Sequence, residues 1–359
     1  MRTSKKRSRY LRNDVLGRNG KEGTPRKKRQ GKDKQTMKIV AAEIDSVGND
    51  IDYSSLTKTG DVTYYKDKVT AENAAERLAG AEVLCINKSK ITTDIIEQAP
   101  DLKLICEFAT GFDNVDIKAC AERGIKVANV AGYSTASVTQ HTFAMLFYLM
   151  ESLKDYDEFV KSGEYAAQTH FSKIDIPFHE LENMTWGIIG MGNIGRSVAS
   201  IATAFGAHVI FYPASGRKTY TEGDGEYEMV SFDELLERSD VLSLHCPLTD
   251  KTRNLIDKVA LMKMKSTAYL INVARGPVVN EDDLYEALLN EEIMGAGLDV
   301  LSVEPMKKDS PLLKIQDSKR LYITPHMAWA SVEARTRCVN EVAKNIEAYK
   351  RGEDRNIVN

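Results

Sequence analysis

Gly190-Met-Gly192-Asn-Ile-Gly195 limits what this chain can become more than any other stretch. An apolar run ending at Gly187–Gly190 leads into it. Ile194, Val198, Ile201 and Phe205 follow at helical spacing, and His208–Tyr212 is a second apolar run. Strand, glycine turn, helix and strand within about 30 residues make the unit that cradles a dinucleotide pyrophosphate. Gly190 permits the tight turn, Gly192 lets backbone approach the phosphates, and Gly195 lets the helix pack close to the strand. The helix start, which contains Asn193 and Ile194, supplies unpaired N–H groups and a positive dipole end. A G-x-G-x-x-G by itself can be a structural turn; its place between two apolar strands points to a nucleotide.

The rest of the chain repeats that alternation. Lys38–Ala42, Glu82–Asn87, Lys103–Phe108 and Ile125–Asn129 read as strands, with helices over Ala71–Leu78, Thr92–Gln98 and Val115–Arg123. Strands alternating with helices imply a parallel sheet covered on both faces. Ser134–Lys154 reads as one long apolar helix, and Asp155–Glu182 as a charged stretch with few regular signals. Beyond Tyr212, strands are expected at Val241–His245, Ala268–Val273, Ala296–Val300 and Leu321–Thr324. Helices are expected at Lys258–Met264, Glu281–Leu289 and Ser331–Tyr349. The last is long enough to cross back to the first half. The fold class is therefore α/β with two parallel sheets.

Charge is unevenly distributed. Residues 1–36 hold 14 Lys or Arg against three acidic residues, a balance of +11, whereas the whole chain carries −3; the body is therefore −14. An acidic body is a poor nucleic-acid surface, so such affinity would reside in the basic tail alone. That tail nearly lacks apolar residues and is expected to be disordered, with Met37 the natural start of the folded protein. Five scattered cysteines without C-x-x-C spacing suggest buried free thiols in a reducing compartment, and no metal-ligand cluster is visible. The longest apolar run, Phe143–Met150, is far short of the ~20 residues that span a bilayer. A cytoplasmic location is expected, with no membrane contact.

Three later stretches carry chemistry: Asn272-Val273-Ala-Arg275-Gly-Pro, Asp299-Val-Leu-Ser-Val-Glu304-Pro and Pro325-His326. Each polar residue lies just past an apolar strand, on the side of the nucleotide turn. Reduction of a 2-oxo acid needs a cation for the carboxylate, a proton for the new hydroxyl and a hydride from nicotinamide. Arg275 offers a planar fork for the carboxylate and adjacent carbonyl. His326 can deliver a proton near neutral pH. A carboxylate bonded to an imidazole favours its protonated form and fixes its orientation, the part suited to Glu304.

With these residues in place, the chain from Met37 to Asn359 resembles the D-isomer-specific 2-hydroxyacid dehydrogenases. The fingerprints appear in order: Asp113-Asn-Val-Asp116, the glycine turn, His245-Cys-Pro247, the Arg275 stretch, Asp299 with Glu304-Pro305, and Pro325-His326. The resemblance implies two Rossmann-like domains, with residues 136–326 as a nucleotide domain inserted into a substrate domain of residues 37–135 and 327–359. It implies Arg275, Glu304 and His326 as the catalytic set, and Ala109, Thr110 and Gly111 as main-chain binders of the substrate carboxylate. His245, Pro247 and Thr252 would line the adenosine side, and Val273 and Asp299 would lie on the cofactor side, Asp299 near the nicotinamide. It further implies a homodimer, with the Ser134–Lys154 helix as an interface element.

Asn87-Lys88, Ala109–Asp113 and Ser137–Phe143 resemble glycerate dehydrogenase and hydroxypyruvate reductase members in particular. Hydroxypyruvate or glyoxylate is the expected substrate, a small 2-oxo acid. 3-Phosphoglycerate and D-lactate dehydrogenases are alternatives, the former disfavoured because many carry an added C-terminal domain. An NAD(H)-sensing corepressor-like protein is the rival from another class. One departure concerns the cofactor. The second strand ends Phe211-Tyr212-Pro213-Ala-Ser215-Gly-Arg217, without the acid that binds a ribose 2′-hydroxyl. NAD and NADP both remain open, with Ser215 and Arg217 the candidates to hold a 2′-phosphate.

Overall fold

In the computed structural model, residues 36–214 and 227–359 are described. Short apolar runs bounded by polar turns form two parallel sheets. The first contains β1 (Lys38–Ala41), β2 (Asp61–Tyr64), β3 (Val83–Ile86), β4 (Leu104–Glu107) and β5 (Lys126–Ala128) in the order β2-β1-β3-β4-β5. The second contains β6 (Thr185–Ile189), β7 (His208–Tyr212), β8 (Glu228–Met229), β9 (Val241–Leu244), β10 (Tyr269–Asn272), β11 (Gly295–Leu298) and β12 (Leu321–Ile323). Its order is β12-β11-β10-β9-β6-β7-β8. The chain reverses direction across the first sheet between β1 and β3, and across the second between β6 and β9. Open α/β sheets bind ligands beyond the carboxyl ends of strands at such switch points.

Helices α1 (Ile44–Val47), α2 (Ser54–Thr57), α3 (Ala74–Arg77), α4 (Thr93–Glu97) and α5 (Ile117–Glu122) belong to the first half. Next come α6 (Thr135–Met150), α7 (Leu153–Lys161), α8 (Glu164–Ala167) and α9 (Asn193–Ala204). The series ends with α10 (Phe232–Arg238), α11 (Lys258–Lys263), α12 (Glu281–Leu289) and α13 (Val332–Lys350). Successive strand residues point to opposite faces, so each strand feeds two cores. In the first sheet, Val40, Leu84 and Ile105 pack with Leu78, Ile95 and Cys120, while Ile39, Val83 and Leu104 pack with Cys338, Val342 and Ile346 of α13. In the second, Trp186, Ile188 and Ile271 lie with α6 and α9, and Ile189, Leu242 and Leu270 lie with α10, α11 and α12. Helix α13 thus packs with the first sheet, against β4 and α2.

Several expectations change. Most strands are one to two residues shorter than the apolar runs, because ladder pairing stops where the chain turns toward a loop; β7 matches its run, and β11 starts one residue earlier than expected. Ala71–Leu78 is helical only over Ala74–Arg77. The expected Ser134–Lys154 helix stops at Met150, and Ser152, with φ of 51°, starts the separate helix α7 in the left-handed region. The stretch read as irregular therefore holds most of α7 and all of α8, two helices that bury no residue. Strands β2 and β8 are exposed edges without an apolar run, and both escape a hydrophobicity reading. All five cysteines are buried free thiols, as their apolar surroundings imply.

Candidate active site

The glycine turn lies at the switch point of the second sheet. Gly190 has φ of +92°, and a Cβ there would lie 2.8 Å from the Cys246 nitrogen and 2.9 Å from the His245 carbonyl carbon. Backbone geometry and the neighbouring loop both demand glycine. A Cβ on Gly195 would overlap the Gly190 carbonyl oxygen, so this residue sets the close approach of α9 to β6. Gly192 is different: a Cβ there meets nothing within 4 Å. Its absence is not needed for packing, as expected where backbone must admit another molecule. Gly192 is also the N-cap of α9, and no side chain caps the helix. The first-turn N–H groups of Asn193, Ile194 and Gly195 therefore suit a pyrophosphate. Ile194 packs into the core beneath, and the Asn193 amide faces Gly132, 3.5 Å from where its Cβ would be.

His245 follows β9 on the other side of the switch point. Trp186 Nε1 donates to Ser243 Oγ at 2.8 Å, and that hydroxyl lies 3.0 Å from His245 Nε2. His245 Nδ1, the other ring nitrogen, is a buried atom without a partner among the described residues. Burial pushes the His245 pKa down to about 3, so the ring is neutral. Thr252 is 0% exposed, and its hydroxyl donates to the Pro247 carbonyl at 2.7 Å while accepting from the Thr249 N–H at 2.7 Å. It shapes the loop and turns no free hydroxyl outward. Ser215 and Arg217 lie outside the described residues.

The three polar residues of the later strand ends converge. Arg275 follows β10, Glu304 follows β11 and His326 follows β12. Asn272 holds the Arg275 turn, accepting from the Ala274 N–H at 3.0 Å and donating to the Arg275 carbonyl at 3.0 Å. Val273 is buried in that turn, 8% exposed. A Cβ on Gly276 would overlap the Leu301 carbonyl, so the arginine turn sits directly on the loop that carries Glu304. Glu304 Oε1 accepts from the Leu301 N–H at 3.0 Å, and Oε2 lies 2.6 Å from His326 Nδ1. Partial burial raises the Glu304 pKa, but the bond to His326, its charge and the Leu301 N–H outweigh it and hold the carboxyl below its ordinary range. An ionised carboxylate only accepts, so Nδ1 carries the hydrogen and Nε2, without a partner among the described residues, is left to meet a ligand.

Arg275 also reaches the first sheet. A Cβ on Gly111 would overlap its Nη2, and its Nε lies 3.7 Å from Asp113 Oδ1. Ala109–Gly111 follow β4 and are pinned from below. The Ala109 carbonyl accepts from the Val130 N–H at 2.9 Å, and Thr110 Oγ1 donates to the Val130 carbonyl at 2.7 Å. The Thr110 carbonyl accepts from Asn129 Nδ2 at 2.7 Å. The three N–H groups have no acceptor among the described residues, beside a guanidinium: a receptor for a carboxylate.

Asp299 is 2% exposed and turns inward. Its Oδ1 accepts from Thr324 Oγ1 at 2.6 Å and the Met327 N–H at 2.8 Å, and Oδ2 accepts from the Ala328 N–H at 2.9 Å. It fixes the loop of His326. The sequence reading also missed Glu43, a 2% exposed residue after β1. Its carboxylate accepts from the N–H groups of Asn87, Lys88 and Ser89 at 2.7–3.1 Å, holding the turn after β3 at the first switch point. Nothing in a β-strand pattern marks such an acid; an acidic residue closing an apolar run is the only signal.

Both switch points, the glycine turn and a carboxylate receptor joined to a His–Glu pair describe an oxidoreductase that carries a dinucleotide. Residues 143–328 match the family model "D-isomer specific 2-hydroxyacid dehydrogenase, NAD binding domain". The chain belongs to this family. It is 35% identical to hydroxypyruvate reductase of Blautia hydrogenotrophica, over 90% of this chain and 100% of the relative. It is 39% identical to glycerate dehydrogenase of Methylorubrum extorquens, over 82% of this chain and 90% of the relative. Among solved structures, an acyclic imino acid reductase in complex with NADPH and D-Arg is similar, with TM-score 0.79, 31% identity and coverage of 90% of this chain and 100% of that one. The protein is accordingly an NAD(P)-dependent 2-hydroxyacid dehydrogenase. Among the described residues, no helix is long and apolar enough to cross a membrane, and no group of three His, Cys, Asp or Glu is arranged to hold a metal ion.

Proposed function

We propose that this dehydrogenase reduces hydroxypyruvate or glyoxylate to the D-2-hydroxy acid with NADH or NADPH. The observation that carries the reading is the contact of the Arg275 fork with Gly111, while the Arg275 turn also packs on the loop of the His326–Glu304 pair. The substrate carboxylate lies against the N–H groups of residues 109–111 and the Arg275 guanidinium, which also polarises the adjacent carbonyl. His326 Nε2 delivers the proton to the carbonyl oxygen, and Glu304 fixes the ring and balances its charge. The bound nicotinamide supplies the hydride. In the oxidative direction Nε2 takes the hydroxyl proton.

We infer further that residues 37–135 and 327–359 form the substrate domain around the inserted 136–326, in keeping with the packing of α13 on β4. A homodimer is supported by apolar residues left exposed after α6, with Phe171 at 91% and Ile174 at 86%. Helix α6 itself spends Phe143, Leu146 and Met150 on the core, so the following segment is the better interface. The test of function is a pair of progress curves for hydroxypyruvate reduction, one with NADH and one with NADPH. Turnover with either is expected. NADH binding without turnover of hydroxypyruvate, glyoxylate, pyruvate or 3-phosphohydroxypyruvate would replace the enzyme by a nucleotide sensor.

A further inference from the structure

His326 is held in an unusual backbone conformation, and the groups that hold it lead away from the site to helix α6. Its φ is +52°, in the left-handed region, and its N–H donates to the carbonyls of Asp299 and Thr324 at 2.8 and 2.9 Å. A non-glycine residue stays there only when its surroundings over-determine it. On one side Asp299 holds Met327 and Ala328 by their N–H groups. On the other, Thr324 Oγ1 donates its single proton to Asp299 Oδ1 at 2.6 Å. That hydroxyl can then only accept from His141 Nε2, 3.0 Å away, so Nε2 carries the hydrogen. Burial lowers the His141 pKa against the opposing pull of Asp299, in keeping with a neutral Nε2–H ring. One turn earlier on the same helix face, Ser137 Oγ donates to the Ala328 carbonyl at 2.6 Å.

We propose that His141 is a positioning residue for His326, acting through Thr324 and Asp299. The inference rests on the reading of His326 as proton donor. Helix α6 grips the segment before His326 through His141 and the segment after it through Ser137, and Asp299 closes the two grips beneath. Because the cofactor is cradled by the glycine turn and the substrate carboxylate by Arg275 and residues 109–111, loosening this relay moves only the proton donor. Its signature is a fall in kcat without a matching change in KM or in NADH affinity.

The experiment measures hydroxypyruvate turnover, KM and NADH affinity for wild type, His141→Leu, His141→Gln, Thr324→Val and the double variant His141→Leu/Thr324→Val. Leucine removes the donor; glutamine places an amide N–H near the position of Nε2. His141→Leu should lose about tenfold in kcat, the effect of one hydrogen bond to a strained loop, with KM and NADH affinity within about twofold. His141→Gln should recover most of the loss. The double variant should be no slower than Thr324→Val alone, since both changes cut one chain. Unchanged kcat in His141→Leu, equal losses in KM and kcat, or additive losses in the double variant would overturn the proposal. Should His141→Leu not fold, His141→Gln against Thr324→Val decides: the first must keep most of the wild-type kcat and the second must lose about tenfold, and equal kcat in the two would overturn the proposal. Absence of turnover in wild type would instead sink the functional reading, so the two failures are told apart.

Discussion

Gly192 and Gly195 stand three residues apart in one turn, and the same change, Gly→Ala, should act on them in opposite ways. At Gly195 the new Cβ overlaps the Gly190 carbonyl oxygen, and the atom it meets is backbone that cannot rotate away. Helix α9 must lift from β6, disturbing Val198, Ala199 and Ala202, each 0% exposed. Overpacking of this kind costs about 1–3 kcal/mol. At Gly192 the Cβ enters open space, and the residue has φ of −76° and ψ of −162°, extended backbone open to alanine. Exchanging glycine for alanine at an N-cap costs at most about 1 kcal/mol. The cost there falls instead on the pyrophosphate, which a methyl group would push off the N–H groups of the first turn.

A hundredfold rise in the NADH dissociation constant would correspond to about 2.7 kcal/mol. The assay is denaturant unfolding with and without NADH at about one hundred times the wild-type dissociation constant. Wild type should gain about 2.7 kcal/mol from the ligand, whereas Gly192→Ala should gain only ~0.4 kcal/mol. Without NADH, Gly192→Ala should be nearly as stable as wild type, and Gly195→Ala clearly less stable. Full ligand stabilisation of Gly192→Ala would refute the close approach of backbone to phosphate. A Gly195→Ala protein as stable as wild type would refute the helix–strand contact.

Arg275→Lys should lose about a hundredfold or more in kcat/KM while NADH affinity stays near wild type, because lysine keeps the charge but not the fork that faces Gly111; steady-state kinetics on hydroxypyruvate checks this, and near-wild-type kcat/KM would reduce Arg275 to a point charge. Glu107, 0% exposed at the end of β4, has its pKa raised well above the carboxylate range by burial, against a smaller lowering by Asn114. The raised folded pKa means that its contribution is complete below the unfolded pKa and declines as pH rises toward the folded one, by about 1.4 kcal/mol per pH unit. Glu107→Gln keeps an acceptor for Asn114 and should flatten that decline, so unfolding curves at pH 5 and pH 8 should differ less than in wild type; parallel pH dependence in the two proteins would show that Glu107 ionises freely.

The parts of this molecule that were legible in the sequence are those with a local physical signature. The glycine turn announces itself because Gly190 and Gly195 are demanded by φ and by contact, and both demands act within one turn of chain. Apolar runs locate the central strands because both faces of each are buried. Arg275, Glu304 and His326 stand out as polar residues closing such runs. What could not be read is set by distant partners. The two parts of the first grip on His326 come from residues 141 and 324, and Glu43 meets Asn87–Ser89 only after the first sheet has formed. The break at Ser152 follows from a single left-handed residue between an apolar helix and a charged one, a conformation that composition does not predict.

Asp113-Asn114-Val-Asp116 shows how a sequence fingerprint can hide its reasons. Asp113 pairs with Arg275, Asn114 donates to the Ser89 carbonyl at 2.9 Å and to Glu107 at 3.1 Å, and Asp116 caps α5 by accepting from the Ala119 N–H at 3.0 Å. None of these three side chains needs to touch a substrate for the motif to matter. Together they lock the turn after β3 to the turn after β4 and set the Arg275 guanidinium against Gly111. The proposed receptor for the carboxylate thus draws on both sheets: N–H groups from the first, the guanidinium from the second. His326, the proposed proton donor, and the nucleotide turn both follow strands of the second sheet. It follows that cofactor affinity and the geometry of His326 should survive changes in the first sheet that abolish substrate binding, whereas no change at the Arg275 turn can leave the substrate site intact.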